Sequence, residues 1–154
     1  MIKIGDKAPE INSIDQNREK ITLKQFLGKK IILYFYPKDM TPGCTAQSCN
    51  LRDNYQQFLD NGYIVIGCSA DSPEKHQKFI EKYNLPFPLI SDERKEVLNS
   101  FGVWGPKKFM GKEYDGILRT TFIVGKDGKL KAIMDKVKTK SHHDDVIDWI
   151  KANL

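Results

Sequence analysis

"IILYFYPKDMTPGCTAQSCN", residues 31–50, holds a strand, a turn and the start of a helix in close succession. The segment Ile31–Tyr36 is an unbroken aliphatic and aromatic run without a polar face, the pattern of a strand buried on both sides. From Cys44 to about Leu59 the spacing turns helical: Leu51, Tyr55 and Phe58 form an apolar stripe that reaches back to Cys44. "YIVIGCS" (63–69) then repeats the buried-strand pattern. A strand, a helix and a strand in this order predict a parallel pair joined by a right-handed crossover.

Outward from that unit the elements follow closely. Ser72-Pro73 is a helix start, hydroxyl cap before a first-turn proline, and the helix should run to about Tyr83. "FPLISD" (87–92) reads as a short strand, "ERKEVLNSFG" (93–102) as a helix ended by glycine, and 103–116 as a loop. "RTTFIV" (119–124), the turn "GKDG" and "LKAIMDKV" (130–137) predict an antiparallel hairpin, and a last helix starts at Ser141. Leaving out 84–116, the order is βαβαββα, that of the thioredoxin fold: an α/β architecture with a central mixed sheet flanked by helices. The 154 residues, 40% of them hydrophobic and without repeat or linker, predict one domain spanning 1–154.

No stretch approaches the roughly 18 apolar residues of a membrane helix, and the start, MIKIGDKAPE, is too charged for a signal peptide. These features predict a cytoplasmic protein without a membrane partner. The net charge of +5 does not point to nucleic acid, because only Arg18, Arg52, Arg94 and Arg119 are arginine and the lysines are scattered. Three cysteines are too few for a disulfide scaffold and should rest as thiols.

Cys44, Cys49 and Cys68 are the chemical candidates. Cys44 lies at a helix N-terminus, where free N–H groups and the macrodipole favour a thiolate; a small buried hydrophobe is the other reading of that position. Cys49 shares its helical face with Asp53, Gln56 and Asp60, so it should lean to solvent, unusual for a cysteine whose reactivity is not used. Five helical residues separate two Cα atoms by roughly 8.6 Å, whereas a disulfide spans at most about 7 Å. The two cysteines are therefore either unrelated or able to bridge only once the helix opens. Cys68 ends a buried strand and reads as core. Four-ligand zinc binding is not supported by this spacing, adjacent His142-His143-Asp144-Asp145 diverge around a helix, and neither "GKDG" nor "GVWG" is a phosphate loop.

Pro37, Thr41 and Cys44 stand at the spacing PxxxTxxC, which resembles the active-site signature of the peroxiredoxins. With Cys49 five residues on, "GVWG" (102–105), "GKEYDGILRTTF" (111–122) and "HHDDVIDWI" near the end, the whole chain resembles the bacterioferritin-comigratory, or Q-type, subfamily. The resemblance implies a thiol peroxidase that needs no cofactor or metal. It implies Cys44 as peroxidatic and Cys49 as resolving cysteine, Thr41 as a hydroxyl bonded to thiolate and peroxide, Arg119 as the active-site arginine, Pro37 as a shield and Gln47 as an aid to the arginine. It further implies a peroxide substrate, thioredoxin or a similar dithiol reductant, and a monomer.

The chemistry asks for these residue types. Lowering a thiol from about 8.5 to about 6 raises the thiolate fraction at pH 7 roughly thirtyfold. It lowers intrinsic nucleophilicity roughly thirteenfold, so the gain is only about twofold. The larger acceleration must come from donors aimed at the charge that spreads over sulfur and both peroxide oxygens. A thioredoxin-type oxidoreductase is disfavoured, since it uses CxxC and a cis-proline where this chain has CxxxxC and Gly116-Ile117-Leu118. A redox sensor that oxidises once is the alternative from another class.

Overall fold

The structure is a computed structural model describing residues 2–153, of Phe109 the backbone only; Met1 and Leu154 of the predicted 1–154 domain lie outside the described residues. The chain runs β1 (Asn12–Ile14), β2 (Lys20–Thr22), a 3-10 turn (Leu23–Phe26), β3 (Lys30–Phe35), α1 (Pro42–Asp53), α2 (Tyr55–Asp60), β4 (Tyr63–Ser69), α3 (Pro73–Tyr83), β5 (Leu89–Ser91), α4 (Glu96–Ser100), β6 (Trp104–Phe109), β7 (Lys112–Ile117), β8 (Thr120–Val124), β9 (Leu130–Met134) and α5 (His142–Ala152).

Seven strands form one mixed sheet in the order β2-β1-β5-β4-β3-β8-β9. β3 lies in its interior beside the central strand β4, parallel to β4 from Lys30↔Tyr63 to Phe35↔Cys68 and antiparallel to β8. The predicted crossover unit and C-terminal hairpin are thus present. Alternation along β3 divides the core. Ile31, Leu33 and Phe35 join Phe101, Phe122 and the α4 residues Val97 and Leu98 on one face. Ile32, Tyr34 and Tyr36 join Cys44 and Leu51 of α1, Phe58 of α2, Phe79 of α3 and Val146 of α5 on the other. Helices flank both faces because a strand apolar on both sides must be covered twice. Between β3 and β5, Gly67 leaves room for its neighbours: a Cβ there would stand 2.6 Å from Leu89 Cδ2 and 2.9 Å from the Tyr34 ring.

Three predictions are corrected. The expected loop 103–116 is largely the antiparallel hairpin β6–β7, paired from Trp104↔Ile117 to Phe109↔Lys112 and apart from the main sheet. Most of β7 is exposed, so no buried face imposes the alternation by which a strand is recognised. The helix expected from Cys44 to Leu59 is interrupted at Asn54 (φ −111°, ψ 10°), whose side-chain amide donates to the Asn50 carbonyl at 2.9 Å. Such local bonding by Asn competes with the helical ladder. The helix expected over 93–102 is confined to α4, preceded by Lys95 at φ 62°, with the Asp92 carboxylate accepting the Leu98 N–H at 2.8 Å.

Candidate active site

The loop between β3 and α1 delivers the first site residues. Thr41, extended at φ −76° and ψ 151°, is the N-cap of α1, and Pro42 takes the first helical position. Proline has no N–H to waste there, and the N–H groups of Gly43 and Cys44 have no partner within the helix. Cys44 is 1% exposed and sits in the core cluster beneath α1.

Arg119 immediately precedes β8, the antiparallel neighbour of β3, which brings its side chain over the start of α1. Its Nη2 donates to Cys44 Sγ at 3.3 Å, and its Nη1 donates to Gln47 Oε1. Gln47 is fully buried one helical turn beyond Cys44. One guanidinium therefore grips both the sulfur and the helix carrying it, a use of arginine's fixed fork that a single ammonium cannot copy. Pro37 and Thr41, in the loop before the helix, are half-buried. The Thr41 hydroxyl donates to the Lys38 carbonyl at 2.9 Å, which leaves its oxygen free only as an acceptor.

The remaining cysteines lie in different surroundings. Cys49 is half-buried on α1; burial pushes its thiol up, Arg52 pulls it down and Asp53 pushes it up. Cys68 is completely buried, and burial, with Asp92 adding, pushes its thiol far up. It belongs to the Phe35–Ile66–Ile90 face, so the sheet stands between Cys68 and Cys44. All three cysteines are free thiols.

Several contributors were not visible in the sequence. A cleft of about 840 Å³ has Arg119 and Lys107 as its cations against Phe101, Leu118 and Phe122. Lys107 Nζ donates to the Ile117 carbonyl at 2.9 Å; burial lowers this ammonium's pKa, with Arg119 adding to the effect and Cys44 opposing it. In the "HHDDVIDWI" stretch the His142 and His143 rings do point apart: His142 is buried with Nε2 2.8 Å from Thr121 Oγ1, while the His143 ring meets Asn50 Oδ1 through Nδ1.

Behind the loop, Asp39, Asp71 and His76 form the one group of three such ligand types close enough for a metal among the described residues. His76 Nδ1 is 2.6 Å from Asp39 Oδ2. Two zinc ligands at ordinary bond lengths stand about 3.3 Å apart, so this spacing is that of a shared proton. The signal for the group was His76 itself, placed with Phe79, Ile80 and Tyr83 on the apolar stripe of α3.

The sequence profile of the AhpC/TSA family matches residues 4–133. Peroxiredoxin Bcp of Escherichia coli (strain K12) is 49% identical over 150 residues, covering 97% of this chain and 96% of that protein. Peroxiredoxin Bcp of Bacillus subtilis (strain 168) is 46% identical over 150 residues, with 97% and 96% covered. Among solved structures, the Xanthomonas campestris bacterioferritin comigratory protein, described for its alkyl peroxide reduction activity, superposes with a TM-score of 0.87 at 32% identity, covering 93% of this chain and 91% of that one. A cysteine-to-serine variant of PrxQ from Xylella fastidiosa gives a TM-score of 0.93 at 29% identity, covering 99% and 98%. The chain belongs to the AhpC/TSA family, as a peroxiredoxin, a thiol-dependent peroxidase, of the bacterioferritin-comigratory or Q type.

Proposed function

We propose that Cys44 attacks the peroxide and Cys49 resolves the product. The observation that carries this is the Arg119 guanidinium 3.3 Å from a buried Cys44 sulfur at the N-terminus of α1. The Cys44 thiolate attacks one peroxide oxygen; the S–O bond forms, the O–O bond breaks, and the other oxygen leaves as alkoxide or hydroxide and takes up a proton. Charge moves from sulfur across both oxygens, and Arg119 with the free N–H groups of the first turn meets it.

Cys49 sulfur then displaces water from the Cys44 sulfenic acid, giving an intramolecular disulfide that two electrons from a dithiol reductant such as thioredoxin reopen. Both cysteines lie within α1, so their helical separation of roughly 8.6 Å must first shrink. Burial pushes the Cys49 thiol up, while Arg52 pulls it down. Opening is eased by Thr45 Oγ1 and Gln47 Nε2, buried atoms with no protein partner. The same reading has the chain act as one cytoplasmic monomeric domain, with no nucleic-acid or membrane partner; no described helix is long and apolar enough to cross a membrane.

The test is turnover. With a dithiol reductant in excess, the protein should consume many equivalents of peroxide and Cys44→Ser none. One equivalent and then arrest would identify a sensor, and turnover by Cys44→Ser would remove Cys44 from its role.

A further inference from the structure

We infer that His76 is a positioning residue for the Cys44 chemistry, acting through Asp39 to fix the loop that leads into α1. The inference rests on the peroxidatic reading of Cys44.

Asp39 is 5% exposed, in the loop between β3 and Thr41, and its backbone N–H and both carboxylate oxygens are bonded by groups outside α1. Tyr36 OH donates to Oδ1 at 2.6 Å, and His76 Nδ1 meets Oδ2 at 2.6 Å. The Asp39 N–H donates to Asp71 Oδ2 at 2.9 Å, and that same oxygen accepts Ser69 Oγ–H at 2.6 Å. His76, with no exposure, is held in turn: its Nε2 lies 2.9 Å from the Ile90 carbonyl. A carbonyl only accepts, so Nε2 carries a proton. A second proton lies between Nδ1 and Oδ2, and the ring orientation is thereby fixed from both ends. Burial and the Asp39 charge hold the Tyr36 phenol far above its ordinary range, so it remains a donor.

The group lies directly upstream of the reacting atoms. Lys38 next to Asp39 accepts the Thr41 hydroxyl, Met40 between them stands at φ 67°, and Thr41 caps the helix whose third residue is Cys44. A non-glycine residue in the left-handed region persists where its surroundings impose it. Here those surroundings are the anchored Asp39 on one side and the Lys38–Thr41 turn on the other. Arg119 holds the sulfur and Gln47 from the β8 side; the loop sets how the chain enters the first turn, where the N–H groups of Gly43 and Cys44 lie. Three hydrogen bonds of this buried group, from Tyr36, His76 and Asp71, converge on the single loop residue Asp39. Its anchors belong to β4, α3 and the β5 carbonyl, so they stay in place when α1 unwinds.

The experiment uses the full chain carrying Cys49→Ser, so that oxidation stops at the sulfenic acid. Two rates at Cys44 are measured by quenched flow and mass spectrometry: sulfenic acid formation by hydrogen peroxide, and alkylation by iodoacetamide, which needs the sulfur but no donors aimed at a leaving oxygen. His76→Leu should slow peroxide oxidation by about tenfold or more and alkylation by less than about threefold, since small misplacements weigh on aimed donors. His76→Asn, which keeps an N–H near the Nδ1 position, should return oxidation to within about threefold of the parent. Tyr36→Phe, which removes one Asp39 partner and keeps the ring, should fall between them. If His76→Leu does not fold, the same selective slowing in Tyr36→Phe decides. Parent-like oxidation in the folded variants, or equal slowing of both rates, overturns the inference. A parent whose Cys44 peroxide does not oxidise overturns the peroxidatic reading with it, and that outcome is seen before any variant is made.

Discussion

Replacing Arg119 with Met keeps the unbranched stem and removes the charge that lies 3.3 Å from Cys44 Sγ. A unit charge pair at that distance is worth about 1 kcal/mol at the dielectric of bulk water and about 5 kcal/mol at an effective value near 20. Arg119 is half-buried, so the loss falls inside that range. Deleting one aimed donor from a site of developing negative charge usually costs about a hundredfold to a thousandfold in rate. We therefore expect Arg119→Met to slow sulfenic acid formation at Cys44 by about a hundredfold or more, measured by stopped flow in the Cys49→Ser background. Arg119→Lys keeps the charge but cannot hold Cys44 and Gln47 together, and should fall between the two. Slowing of less than about fivefold in Arg119→Met would refute the role given to the guanidinium.

Two further outcomes test the surroundings. Cys68→Ala should retain full peroxide turnover while losing about 1 kcal/mol of unfolding free energy by chemical denaturation, because the thiol is packed in the opposite core face and touches no reacting group; loss of turnover would give Cys68 a chemical part. Burial lowers the buried His142 from 6.5 to about 4, against the raising effect of Asp145. Between those values the unfolded chain binds a proton that the folded one refuses, so stability falls as pH falls from about 6.5 towards 4. The loss attributable to His142 should be on the order of 2 kcal/mol between pH 7.5 and 4.5. His142→Gln should be less stable at pH 7.5 and should lack that part of the pH slope, and an unchanged slope would contradict the assignment.

How far the sequence carried the fold depends on burial. β3 and β4 are apolar on both faces and were legible as strands; α3 announced itself through Ser72 and Pro73, and the Ser72 hydroxyl indeed accepts the Lys75 N–H at 3.3 Å. β6 and β7 pair only with each other and carry lysines, glycines and a proline on faces that bury little, so neither periodicity nor propensity marked them. The short N-terminal pair β1–β2 offered three residues per strand, too few to show a period. At the site, spacing along the chain singled out Cys44, and the resemblance supplied Arg119 and Gln47. The contact between them crosses from residue 119 to 44, and no local pattern records a pairing made by strand register. The Tyr36–Asp39–His76 group escaped for the same reason, since its members come from β3's end, a loop and α3.

The most direct measurement is mass spectrometry of the wild-type protein after one equivalent of peroxide, digested without reduction and followed in parallel by circular dichroism. The protein should show a single intramolecular bridge between Cys44 and Cys49, formed with loss of helical signal, and Cys68 unmodified on the far side of the sheet. A bridge from Cys44 to Cys68, or a Cys44–Cys49 bridge with the helical signal unchanged, would contradict this mechanism.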